Sequence, residues 1–119
     1  MIEQVLKVTL LYDFYGGLLT ERQRKCIEQH YFDDLSLSEV ADNFGVSRQA
    51  VHDIIKRAVE AMNDFEDKLG LAGRRRQEKE NLFEVNLLLE QAIKETGYAP
   101  PALARAREKI RQMLAEGDD

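Results

Sequence analysis

The chain has little of what would cross-link or interrupt a helical fold. Cys26 is its one cysteine, so no intramolecular disulfide can form. That fits a reducing, cytoplasmic setting. Both prolines, Pro100 and Pro101, come late, and the chain ahead of them keeps every backbone N–H a helix needs. Glycine is sparse and strand-like alternation is hard to find, which predicts an all-α protein. A long apolar run is also missing. The opening stretch "MIEQVLKVTLLYDFYGG" is broken by Glu3, Gln4, Lys7 and Asp13, which excludes a signal peptide and predicts no membrane insertion.

Positive charge is in deficit. Asp and Glu number 22 against 17 Lys and Arg, for a net charge of −5 and a pI near 5.1. Strong non-specific binding to nucleic acid rests on cations that neutralise phosphates. The balance opposes it, while leaving room for a local basic patch. What the chain does have is apolar content: 44% of its 119 residues are hydrophobic, enough for one packed domain or a compact unit with an appendage.

Apolar spacing and turn residues divide the chain. Val5, Leu6, Leu10, Leu11, Phe14 and Tyr15 predict a first helix over about Ile2 to Tyr15, ended by Gly16-Gly17. Phe14 and Tyr15 pack it onto the bundle, and Tyr12 is the candidate exposed, partner-binding aromatic. Thr20 with Gln23 forms a capping-box pattern that opens a second helix, carrying Cys26, Ile27 and Tyr31 on one face. Asp33-Asp34 turns the chain out. Ser36 with Glu39 repeats the capping pattern for a third helix, stopped by Gly45. Ser47 caps a long fourth, with Val51, Ile54, Ala58, Met62, Phe65 and Leu69 as its stripe. Gly70 and Gly73 predict a break. After "GRRRQEKE", Leu82, Val85, Leu89 and Ala92 predict another amphipathic helix. "TGYAPP" ends it, a last helix carries Leu103, Ile110 and Leu114, and "EGDD" is a solvated tail. The expected organisation is a helix-turn-helix bundle over 1–70, its motif at about 36–57, followed by a helical C-terminal arm over 71–119.

"LSLSEVADNFGVSRQAVHDIIKR", Leu35 to Arg57, carries the chemistry. Closely crossing helices need a small residue, and Ala41 supplies it. Four residues on, Gly45 tolerates the left-handed backbone of a tight turn. Six further on, Val51 anchors the second helix, with Val40, Phe44, Val46, Ile54 and Ile55 completing the inward set. In a DNA reader the outward residues of the second helix reach base edges. Here these are Arg48, Gln49, His52 and Asp53, then Lys56 and Arg57. Arg48 suits guanine and Gln49 adenine. Asp53, Glu39, Asp42, Asp33 and Asp34 repel phosphate, so the residues alone leave DNA reading open.

"LTERQRKCIEQHYFDDLSLSEVADNFGVSRQAVHDIIKRA" resembles region 4 of bacterial sigma factors. "LLYDFYGGLLTERQ", "HYFDDLSLSEVADNFGVSRQAV" and "FEDKLGL" together resemble the YlxM-like (p13) family of small bacterial helix-turn-helix proteins. That resemblance implies a sigma region 4-like bundle. It also implies a regulatory role beside the GTPases of the signal recognition particle, whose genes are the usual neighbours of the family.

Arg74-Arg75-Arg76 is the dense positive run, read either as a solvated face between acidic neighbours or as a contact to RNA phosphate or an acidic protein. At a helix start it would oppose the dipole. Cys26, His30 and His52 are the soft ligands, and Cys26 reads as a small core residue. With no Gly-rich phosphate loop and no nucleophile–base set, neither an enzyme, a cofactor nor a metal site is expected. Three readings stand. The first is a non-catalytic accessory protein of the signal recognition particle pathway, binding its GTPase or its RNA through Arg48, Gln49, His52, Lys56, Arg57, Arg74, Arg75 and Arg76. The second is a DNA-binding transcription regulator. The third is a structural adaptor whose second helix is just core. Pairing with a second copy into a homodimer is left open.

Overall fold

The computed structural model describes residues 2–116. Gly117 to Asp119, which hold most of the expected tail, lie outside them. Among the described residues there are six α-helices and no strand: α1 Ile2–Tyr15, α2 Glu21–Ile27, α3 Leu37–Phe44, α4 Arg48–Leu69, α5 Leu71–Thr96 and α6 Pro101–Ala115. The fold is all-α. The chain divides into two compact units, Met1–Ala72 and Gly73–Asp119.

In the first unit α4 is the spine, touched by α1, α2 and α3. Its period-four stripe explains this: Val51, Ile55, Ala58 and Met62 are all buried. Val8, Leu11 and Tyr15 of α1, Cys26 and Ile27 of α2, and Val40 and Ala41 of α3 close around them. Burying one such Val, Ile or Met side chain contributes about 1.5–3 kcal/mol. α1 is also apolar on its other side, where Ile2, Leu6 and Leu10 are exposed.

The ends of these helices follow local chemistry. Thr20 Oγ1 accepts from Gln23 N at 3.2 Å, and the Gln23 side chain accepts from Thr20 N at 3.0 Å. That is the expected capping box. Gly16 ends α1 in a 3-10 turn, and a Cβ there would meet the Tyr12 ring at 2.8 Å. α2 is shorter than its apolar spacing predicts. After Ile27 the backbone widens into a π-helical turn, Glu28–Phe32, and Asp34 takes a positive φ of 59° to leave it. Tyr12 is not the exposed aromatic. It is half-buried against the core, its ring 5.3 Å from that of Phe32, and Phe32 is the one that faces solvent.

The junction after α4 departs from expectation. Gly70 breaks the helix in the left-handed region, at φ 64°, but Gly73 lies inside α5, which begins at Leu71 and runs through the arginines. The fully buried Tyr15 explains the immediate restart. Its hydroxyl donates to Glu66 Oε1 at 2.5 Å and accepts from Leu71 N at 3.1 Å. Glu66 Oε1 also accepts from Ala72 N at 3.0 Å. Two of the four N–H groups that a helix start leaves unsatisfied are thereby met from distant side chains. Burial and the Glu66 carboxylate push the Tyr15 phenol above its ordinary pKa.

The second unit is an antiparallel hairpin of α5 and α6. Gly97, at φ 69°, ends α5, and Pro101 opens α6 where its missing N–H costs nothing. Arg107 donates to Glu90 Oε1 at 2.8 Å and to Asn86 Oδ1 at 3.4 Å. Leu82, Leu89, Ile93, Leu103 and Leu114 are half-buried. Val85 and Ala92, read from the sequence as part of the inward stripe, are exposed. Leu82 and Leu89 of that stripe do turn inward, and Asn86 and Ile93 take the rest of the inward arc.

Replacing Tyr15 with Phe deletes one oxygen while leaving the ring in the core. The expected loss is about 1–3 kcal/mol, measured by urea unfolding. A change within error would contradict the role given to the hydroxyl.

Candidate functional site

The helix-turn-helix is built as its spacing requires. Ser36 Oγ accepts from Glu39 N at 3.1 Å and Glu39 Oε1 accepts from Ser36 N at 3.0 Å, fixing the start of α3. That bond from Ser36 N holds the Glu39 carboxyl below the usual range. Gly45, at φ 65°, reverses the chain, and Val46 N closes the turn on Ala41 O at 3.1 Å. Ser47 Oγ accepts from Ala50 N at 3.0 Å and caps α4. Ala41 and Val51 are both buried at the crossing. α4 is thus aimed by hydrogen bonds at its start and by apolar contact along its length.

Its outward side carries Arg48, Gln49, His52, Lys56 and Arg57, all exposed. The structure brings these five together on one side of one helix. Asp53 lies among them and engages two: Gln49 Nε2 donates to Asp53 Oδ1 at 3.1 Å, and His52 Nδ1 sits 3.5 Å from the same oxygen. Glu39 and Asp42 on α3 are exposed as well. The face is therefore mixed in sign rather than uniformly basic.

Beside it opens a pocket of about 270 Å³. His52 and Lys56 stand on its rim, Tyr31, Leu37, Ile55 and Val59 line its floor, and Gln4, His30 and Glu60 complete it. His30 is held in place by donating from Nδ1 to Leu35 O at 2.8 Å. Sequence reasoning placed Tyr31 and Ile55 in the core and did not see a pocket. His30, in the π turn, and His52, on α4, both line it.

Arg74, Arg75 and Arg76 lie on α5, and Gly73 begins the second unit. Arg74 and Arg76 are exposed. Arg75 is taken up internally: its Nη2 donates to the carbonyls of Met113 at 2.8 Å, Leu114 at 3.5 Å and Glu116. A cation there complements the C-terminal end of α6. The run does not sit at a bare helix start, because α5 begins at Leu71.

Among the described residues no group of three or more His, Cys, Asp and Glu is placed to hold a metal ion, and no helix is long and apolar enough to cross a membrane. Cys26 is fully buried, and burial pushes its thiol up, away from the reactive thiolate form.

The family comparison agrees with a helix-turn-helix. Residues 2–97 match UPF0122, described as "Putative helix-turn-helix protein, YlxM / p13 like". The chain belongs to this family. A UPF0122 protein of Desulforamulus reducens is 44% identical over 113 residues, covering 95% of each chain. One from Symbiobacterium thermophilum is 42% identical over 106 residues, 89% of this chain and 97% of the relative. One from Thermoanaerobacter sp. is 39% identical over 113 residues, 95% of this chain and 96% of the relative. The family match of this UPF0122 chain runs through the helix-turn-helix and to the end of α5.

The Glu39 cap sets a pH dependence. A carboxyl held below its unfolded pKa stabilises the fold above that pKa, and the contribution disappears as pH falls through the folded value. Thermal midpoints of wild type and Glu39→Gln should converge on acidification. The glutamine keeps an acceptor and loses the charge. A difference between them that grows below pH 4 would contradict the assignment.

Proposed function

We propose that this UPF0122 protein is a non-catalytic regulatory accessory protein of the signal recognition particle pathway, acting in the cytoplasm. It docks its helix-turn-helix face on the particle's GTPase or on its RNA. The observation that carries the reading is the makeup of the α4 face. Its cations are interleaved with Asp53 and run into an apolar-floored pocket. A phosphate backbone rewards unbroken positive charge. A protein surface rewards a pocket that an apolar anchor can fill, with a polar rim around it. The overall charge of −5 points the same way. The resemblance to YlxM-like proteins, whose genes usually lie beside this GTPase, supplies the pathway.

One observation favours a second reading. Arg48 and Gln49 stand in the first turn of α4, where a DNA-reading helix presents its base-contacting side chains. On that reading the chain is a sequence-specific transcription regulator, and replacing either residue with Ala should cost about 1–3 kcal/mol of DNA affinity.

Capture of partners from a cell lysate on the purified protein, with and without RNase, separates the readings. The GTPase should be recovered, and RNase sensitivity tells whether protein or RNA is held. The double change His52→Ala, Lys56→Glu should weaken recovery about tenfold or more, as loss of a central contact pair does. Enrichment of DNA with neither GTPase nor particle RNA would overturn the proposal in favour of transcription.

A further inference from the structure

The α5–α6 hairpin is poorly furnished as a unit. From Gly73 onward, Ile110 is the one buried residue among those described. Its inner face is completed by half-buried leucines and by the Arg107–Glu90 pair. That core is small, and two-helix units normally gain stability by packing against further helices.

The hairpin also presents a second apolar face. On α5, Val85, Leu88 and Ala92 recur at helical spacing. On α6, Ala102, Ala106 and Met113 do the same, and all six are exposed. Val85 is 45%, Leu88 57% and Met113 43% exposed. The helices run antiparallel, as the ties from Arg75 to the end of α6 and from Arg107 to Glu90 require. At 100° per residue, the two sets then fall on the same side of the hairpin. The opposite side is different. There Phe83 and Leu87 are exposed on α5, but α6 offers Arg107, Glu108 and Arg111.

Charge identifies the occupant. The outer edge of the apolar face is acidic along α5, at Glu84 and Glu95, and basic along α6, at Arg105 and Lys109, all exposed. A surface with one acidic and one basic edge is complementary to itself. Turned about a two-fold axis parallel to the helices, a second copy lays its α6 on the first copy's α5, basic edge to acidic edge. We propose that this face is a homodimer interface at which two hairpins close into a four-helix bundle. Four-helix bundles bury such a/d-type faces in their centre, and two-fold interfaces use one patch twice. The length of α6, about 22 Å for 15 residues, limits the contact to about 900 Å² in total, near the lower bound for a specific interface.

Sedimentation of the purified full chain tests this without any partner, so its result is independent of the pathway reading. A dimer is expected at about 100 μM, a concentration at which even a weak specific pair with a Kd of about 10 μM is mostly associated; a monomer there overturns the proposal. Leu88→Glu, on an exposed position, should keep its helical circular dichroism and weaken the dimer about tenfold or more. A dimer of unchanged strength would place the interface elsewhere and overturn this one. Charge reversal guards against a variant that misfolds. Glu84→Lys with Glu95→Lys should dissociate the dimer, and adding Arg105→Glu with Lys109→Glu to the same chain should restore it. Failure to restore it would refute the edge-to-edge pairing.

Discussion

The Tyr15 hydroxyl is the point on which the first unit turns. It lies where α1 ends, α4 ends and α5 begins, and it hydrogen-bonds to the latter two from the first. A phenol with no exposure must meet both its donor and its acceptor needs inside the protein. Glu66 and Leu71 N meet them here. The same contacts satisfy backbone groups at the start of α5, so the chain resumes a helix after a single left-handed glycine. Gly70 has no side chain with which to cap those N–H groups, and the distant oxygens take that part.

That explains how the sequence was legible and where it was not. What neighbours within four residues govern could be read, namely the caps at Thr20, Ser36 and Ser47 and the left-handed stop at Gly45, and so could the Ala41–Val51 crossing, from the fixed spacing of its small and apolar residues around that glycine. The beginning of α5 could not, because its cap comes from residues five and more positions away in sequence. The π turn was equally hidden. Its residues Glu28 to Phe32 carry no glycine or proline to mark it. The face of α4 was legible as a set of five outward residues. The pocket beside it was not, since Tyr31 and Ile55 obey core periodicity and differ from core residues only in having a gap above them.

The two units solve the same physical problem differently. The first buries a spine helix under three others and exposes a mixed-charge face. The second has two helices and spends its polar side chains on holding them together. Arg75 closes the last turn of α6 by binding its carbonyls, and Arg107 bridges the middle. Cations placed where α6 leaves bare acceptors answer the oddity of three arginines in an acidic chain, at least for the central one.

The π turn has a meaning for how such a chain can change over generations. A π turn is an α-helix that has absorbed one additional residue, and the insertion is kept inside the helix rather than passed to a loop. Its effect is angular. Each residue of an α-helix advances the direction of the side chains by about 100°, so removing one residue between Glu28 and Phe32 would swing His30 and Tyr31 away from the wall they share with α4. Point substitutions there alter one side chain at a time, whereas a single-codon deletion would re-aim the entire wall at once.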